Sequence, residues 1–171
     1  GFEYLFELGR YYGFTVEEIP EQDLEHEAVS STRIRKALSE GNIQRANAYL
    51  DHLFLMIGPV HRLPALNGGP EHERAAIGLE ESEKLIPPAG LYAADISMGD
   101  QARKCLVRCQ DQEPAGRPVS PEVYLGAGEK LPDGTEGVLR FRKRLSGPGP
   151  IKESSIEDIR EGLRQVEELI Y

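Results

Sequence analysis

After Asp51 the sequence changes its period. Before that point apolar residues recur at helical spacing; beyond it helical periodicity is lost and short apolar runs are separated by Gly, Pro and Asn turn signals. The runs are 52–60, 75–79, 91–96, 104–109, 122–125 and 137–144, which gives five or six strands. Residues 138, 140 and 142 of the last run alternate with 139, 141 and 143. Strands this short and this closely spaced bury a face most simply by closing on one another, which also removes exposed edges. The spacing therefore predicts an α+β chain built on a small closed antiparallel β-barrel. The breaker Ser146-Gly-Pro-Gly-Pro150 ends it, and Ser154 or Ser155 caps a closing helix. Ile156, Ile159, Leu163, Val166 and Ile170 form one apolar stripe on that helix, which is expected to pack on the barrel.

The part before Asp51 is helical. Leu5, Leu8, Tyr11 and Tyr12 fall on one side of a helix that Gly13 stops, and a short strand over 14–19 and an acidic loop over 21–27 follow. The stretch Val29-Ser-Ser-Thr-Arg-Ile-Arg35 then concentrates N-cap residues, hydroxyls and guanidinium groups. Ile34, Ala37 and Leu38 have the spacing of a buried helical face, so a helix begins here; it closes at Gly41, and Asn42 caps a second helix over 43–50. The first turn of the Ser30–Thr32 helix offers free N–H groups and the positive end of the dipole, to which an anion can dock. Arg35, four residues after Ser31, leans back toward that turn.

A net charge of −9 argues against a nucleic acid or an acidic membrane surface as partner, and any anionic ligand needs a local basic pocket. The last strand offers one basic group, Arg140, Arg142, Lys143 and Arg144, read most simply as a solvated face. Cys105 and Cys109 are too few for a disulfide framework and are expected as reduced packing residues. The 61–74 stretch reads as a long loop, and its Asn67-Gly68-Gly69 as a surface turn. With no apolar run of membrane-spanning length and no signal peptide, the expectation is a cytoplasmic protein. Because the chain opens on Gly1, straight into a helix, it is also expected to be a piece of something longer.

Taken in order, Val29–Arg35, Ala37-Leu38, Gly41, Ala46 and Leu50, then Leu85-Ile-Pro-Pro-Ala-Gly-Leu-Tyr-Ala93, Glu122-Val-Tyr-Leu125, Asp133-Gly134 and Ser155-Ile-Glu-Asp-Ile159 resemble the bacterial bifunctional riboflavin kinase/FMN adenylyltransferase family, the FAD synthetases. The resemblance implies an N-terminal nucleotidyltransferase α/β domain, of which residues 1–51 are the short helical tail, followed by a flavokinase barrel with its helix over 52–171. It implies flavin nucleotide biosynthesis: riboflavin is phosphorylated with ATP and Mg²⁺, and the resulting FMN is adenylylated to FAD. Ser30, Ser31, Thr32 and Arg35 then match the motif that holds ATP phosphates, and Glu122 matches the general base acting on the flavin hydroxyl.

The resemblance has gaps. The family's early His-x-Gly-His signature is absent, since His26, His52, His61 and His72 stand in other contexts, so this chain alone is not expected to make FAD. The family's Pro-Thr-Ala-Asn, whose Thr and Asn bind nucleotide and Mg²⁺, falls on Ala75-Ala76-Ile77-Gly78, and Cys109–Pro121 stands in place of the family's Asn-Ile-Gly-x-x-Pro-Thr segment. With no metal-ligating side chain at those positions, the kinase step is expected to be lost. The other expectation is a non-catalytic module that binds flavin or nucleotide, or stabilises the adenylyltransferase domain.

Overall fold

The computed structural model describes residues 31–50, 53–66, 73–79, 86–111, 113–114, 116, 118–126, 129–145 and 156–169. The expected elements over 2–27, Ser30, the Asn67–Gly69 turn and the Ser154/Ser155 cap lie outside them.

Helix α1 covers 31–39 and helix α2 Ile43–Leu50. The turn between them is a double cap. Gly41, at φ 74°, donates its N–H to Leu38 O (3.0 Å) and Asn42 donates to Ala37 O (2.8 Å), the paired bonds of a Schellman ending. Asn42 Oδ1 then accepts from Arg45 N (3.1 Å) and starts α2.

Six strands follow: β1 (Leu55–Leu63), β2 (Arg74–Ile77), β3 (Gly90–Met98), β4 (Gln101–Cys109), β5 (Glu122–Tyr124) and β6 (Glu136–Arg144). They close into a barrel in the order β1-β2-β5-β4-β3-β6, every neighbour antiparallel. Helix α3 (Ile156–Glu168) completes the chain. This is the α+β barrel with a closing helix that the turn spacing predicts. Each strand departs from its expected run by one to three residues at one end or both, β4 for example beginning at Gln101, three residues before Lys104. β1 continues to Leu63, because Arg62 and Leu63 pair with Ala75 and Arg74, so the expected loop begins three residues later than His61. β2 begins at Arg74 and ends at Ile77, leaving Gly78 and Leu79 outside the ladder.

The strands β3 and β4 meet in a two-residue hairpin, Met98 pairing with Gln101 around Gly99 at φ 70°, a backbone that matches the twist of the strands. β3 is buried on both faces. Tyr92, Ala94 and Ile96 point into the barrel with Phe141, Leu139 and Val60, while Leu91 and Ala93 join Leu106, Tyr124 and the α3 residues Ile159, Leu163 and Val166 outside it. The α3 helix lies so close to β4 that a Cβ at Gly162 would stand 2.8 Å from Leu106 Cδ2. At its far end Lys104 Nζ donates to Leu169 O (2.5 Å), a cation on the free carbonyls of the helix C-terminus. Cys105 and Cys109, both buried and both unbridged, are packing residues of the interior as expected.

The helical pair shares that interior. Ile34, Ala37, Leu38, Ile43, Ala46 and Leu50 belong to one continuous core with Phe54, Met56, Phe141 and Leu139. Phe54 and Phe141 stack at 5.5 Å, and Tyr92 meets Phe141 edge-on at 5.6 Å.

Where β1 passes the end of β2, the backbones touch. A Cβ at Gly58 would run into the carbonyl oxygen of Gly78, which is backbone and cannot swing away. Gly58→Ala should therefore cost about 1–3 kcal/mol, read as a lower urea midpoint with an unchanged m-value; Gly126→Ala, whose Cβ would meet only a Glu167 carboxylate oxygen at an ordinary 3.5 Å, should cost less.

Candidate functional site

Strand β5 is three residues long, and alternation turns Val123 into the barrel and Glu122 and Tyr124 out of it. The outward positions of the flanking strands carry Arg74 on β2 and Arg108 on β4; Arg74 lies opposite Tyr124, and Arg108 opposite Glu122. A carboxylate is thereby set between two guanidinium groups. Glu122 Oε1 accepts from Arg74 Nη2 at 2.9 Å, and Oε2 accepts from Tyr124 OH at 2.6 Å with Arg108 Nε 3.6 Å away. Arg74 is held further by a bond from Nη1 to Pro64 O (3.2 Å), and the Gln110 side-chain amide lies against both Arg108 and Glu122. The Glu122 side chain is 12% exposed and the two arginines 19% and 18%, so the pairing is only lightly screened.

Protonation follows from this packing. Burial, reinforced by the bond to Glu122 and its charge, pushes the Tyr124 phenol up to about 12. Burial lowers the Arg74 guanidinium, and the Glu122 charge with the Tyr124 hydrogen bond more than restores it, leaving it above its ordinary value.

Glu122 is thus not an ordinary exposed strand glutamate. Both oxygens already accept from groups of the barrel wall. Ala76, the position the resemblance gives to the nucleotide-binding Thr, lies directly opposite Glu122 in the β2–β5 pair and opposite His61 in the β1–β2 pair. Gly78, at the position of the family's Asn, is packed against Pro59: a Cβ there would stand 2.9 Å from Pro59 Cγ and 3.3 Å from its Cδ, and the Gly78 N–H donates to Pro59 O at 2.8 Å. The residues present do not fit a bound Mg²⁺: neither position has a side-chain oxygen ligand, and no group of three His, Cys, Asp or Glu residues among the described residues could hold a metal ion.

The other expected site residues lie apart from Glu122. Ser31 is 3% exposed, on the buried side of α1 with Ile34, whereas Thr32 and Arg35 are exposed; Ser30 lies outside the described residues. Helix α2 packs against β6, and β5 is separated from β6 by two strands in either direction round the barrel. The structure therefore brings Glu122 together with Ala76 and sets Glu122 across the barrel from β6, the strand against which α2 packs.

The basic group on β6 is not simply a solvated face. Arg142 is the extra residue of a β-bulge and donates from Nε (2.9 Å) and Nη2 (2.6 Å) to Oδ2 of Asp95, a carboxylate 5% exposed on β3. Arg140 Nη1 donates to Ser97 Oγ (3.3 Å) and Arg144 Nη2 to Ala89 O (2.7 Å), while Lys143 is exposed. Sequence reading did not assign Arg74, Arg108, Tyr124 or Asp95. The signal available was an outward Glu-x-Tyr on a short strand together with single charges at outward strand positions, which on a closed barrel must find one another across the sheet.

No protein-family model matches the chain, and no curated protein matches it. Among solved structures, the crystal structure of a macrolide-efflux protein from Streptococcus pneumoniae matches with a TM-score of 0.64 and 22% sequence identity, over 81% of this chain and 45% of that one. At that identity the likeness concerns the fold, a closed barrel with its helix, and this chain spans less than half the length of that protein.

Two outcomes are expected. Glu122→Gln leaves two guanidinium groups around a neutral amide and should destabilise the fold by about 1–3 kcal/mol, lowering the thermal midpoint in calorimetry. For the phenol the sign is opposite to that of a carboxylate: the folded Tyr124 holds its proton beyond the ordinary range, so its contribution is full below about pH 10. That contribution is lost as the pH rises from there toward about 12, and denaturant midpoints measured across this window should fall more steeply for the wild type than for Tyr124→Phe.

Proposed function

We propose that the chain is the C-terminal portion of an FAD synthetase-like protein. The intact protein transfers AMP from ATP to FMN, and the barrel keeps a flavokinase-like fold without phosphorylating riboflavin. The observation that supports this reading best is the neighbourhood of Glu122. The position assigned to the nucleotide-binding Thr and the position assigned to the general base face one another across β2 and β5, as one constellation requires, yet one is Ala76 and the other is committed to Arg74, Arg108 and Tyr124. A base must have a lone pair within reach of the hydroxyl it deprotonates. Phosphoryl transfer needs its charge neutralised and its groups positioned, and neither Ala76 nor Gly78 supplies a ligand for that.

For adenylyl transfer the chemistry is different and lies at the other end of this chain. The FMN phosphate attacks the α-phosphorus of ATP and pyrophosphate leaves, so the demand is for groups that hold phosphate oxygens. The start of α1, with Thr32 and Arg35 at the surface, offers a hydroxyl and a guanidinium suited to that. The second reading is a flavin- or nucleotide-binding module without chemistry, favoured by the occupied carboxylate of Glu122 alone.

The test is the intact protein incubated with ATP and Mg²⁺, with riboflavin or with FMN, and the flavins resolved by chromatography. FAD from FMN, with no FMN from riboflavin, is expected. FMN from riboflavin would sink the lost-kinase reading, and flavin retained without FAD would favour the module. Arg35→Ala should slow FAD formation at low ATP about tenfold, the loss of one charge-assisted hydrogen bond. Gly78→Asn combined with Ala76→Thr should not restore riboflavin phosphorylation, because Pro59 occupies the space the Asn needs.

A further inference from the structure

One residue of the helical pair is built into the barrel wall. Phe141 N donates to Phe54 O at 2.8 Å, as in a hydrogen-bonded antiparallel pair, but the return bond from Phe54 N to Phe141 O is replaced. The Asn47 carboxamide takes its place: Oδ1 accepts from Phe54 N (2.5 Å) and Nδ2 donates to Phe141 O (3.0 Å). Only a neutral group with one acceptor and one donor satisfies both; a carboxylate would meet the Phe141 carbonyl with another acceptor. Asn47 thus continues the β1–β6 ladder from α2, 94 residues away in sequence from one of its partners.

A second tie reaches α1. A Cβ at Gly41, in the turn that ends α1, would stand 2.5 Å from Arg144 Nη1 and 3.2 Å from its Cζ, so the guanidinium lies directly on that turn. The same guanidinium donates from Nη2 to Ala89 O (2.7 Å) and sits 5.8 Å from the Tyr92 ring centroid, while Tyr92 OH donates to Pro88 O (2.7 Å). Arg144 therefore links the end of α1 to the Pro-Pro-Ala-Gly turn that delivers β3. The two stretches that carry the family resemblance, the Ser/Arg helix and this turn, are joined through one side chain.

We infer that Asn47 and Arg144 form a joint through which the barrel holds α1 in the position its phosphate-binding residues require, so that both are positioning residues for nucleotide. The inference rests on the adenylyltransferase reading for its nucleotide and on the geometry for its joint. A barrel without kinase chemistry then still serves the reaction, by presenting the helix.

The experiment uses the intact protein and the variants Asn47→Leu, Arg144→Met and Arg144→Lys. Amides of 31–50 should exchange hydrogen at least tenfold faster in the first two, with β3 and β4 amides unchanged. KM for ATP in FAD formation should rise about tenfold while kcat stays within about twofold, and Arg144→Lys, which keeps a donor for Ala89 O, should recover most of both effects. Faster exchange in helices and strands alike would mean general destabilisation and would overturn the joint, as would unchanged helix exchange. Faster helix exchange with an unchanged KM would overturn the link to nucleotide. A wild type that makes no FAD would sink the adenylyltransferase reading and with it the positioning role, while the exchange data would still decide the joint.

Discussion

Barrel closure is the constraint on which the rest depends. A six-stranded cylinder must carry its hydrogen bonds all the way round, and here two of the six strands are short: β2 has four residues and β5 three. The ladders β2–β5 and β4–β5 contribute three residue pairs each, against nine between β3 and β4. So few backbone bonds make this seam the weakest in the wall. The Arg74–Glu122–Arg108 arrangement spans it, one carboxylate on the middle strand and one cation on each side, with Tyr124 OH donating to the second carboxylate oxygen. An exposed ion pair contributes little, but partly buried groups in a hydrogen-bonded network are costly to separate, because each would be left charged without its partner. On the far side of the barrel Asp95 and Arg142 do the same across a bulge in the β3–β6 pair.

The helical pair depends on this closure. Its buried residues have no core of their own; they complete the barrel interior beside Phe54 and Phe141. A helix as short as α2, eight residues, is marginal by itself, and packing rather than propensity sustains it. Asn47 and Arg144 then fix its rotation and distance, which apolar contact leaves loosely defined. Specificity of placement comes from the polar groups and stability from the apolar ones, a division of labour common where one unit must hold another at a set orientation.

How much of this was legible follows from which interactions are local. The strands were, since turn residues and alternation are short-range signals, and so was the cap at Gly41 and Asn42, written within a few residues of the turn. The limits of β1 were not, because Arg62 and Leu63 are strand residues only through pairing with Ala75 and Arg74. The state of Glu122 was out of reach for the same reason: Arg74 lies 48 residues before it, and only closure brings the two within 2.9 Å. Ser31 shows the limit of spacing arguments within one helix, where Ser31 and Arg35 share a side by periodicity and yet one is buried on the core and the other exposed.

The same logic bears on Gly78. The backbone around it leaves little room for a larger side chain, since a Cβ would stand 2.9 Å from Pro59 Cγ and the Gly78 N–H is tied to the Pro59 carbonyl. Gly58 in turn admits the Gly78 carbonyl only because it lacks a Cβ. Gly58, Pro59 and Gly78 are therefore mutually adjusted around a close backbone crossing. Such a crossing draws β1 and β2 together at the end of the shortest part of the wall, where added packing is most useful to closure. Packing at this position therefore serves the closure of the wall, and a larger residue at Gly58 or Gly78 would have to open it.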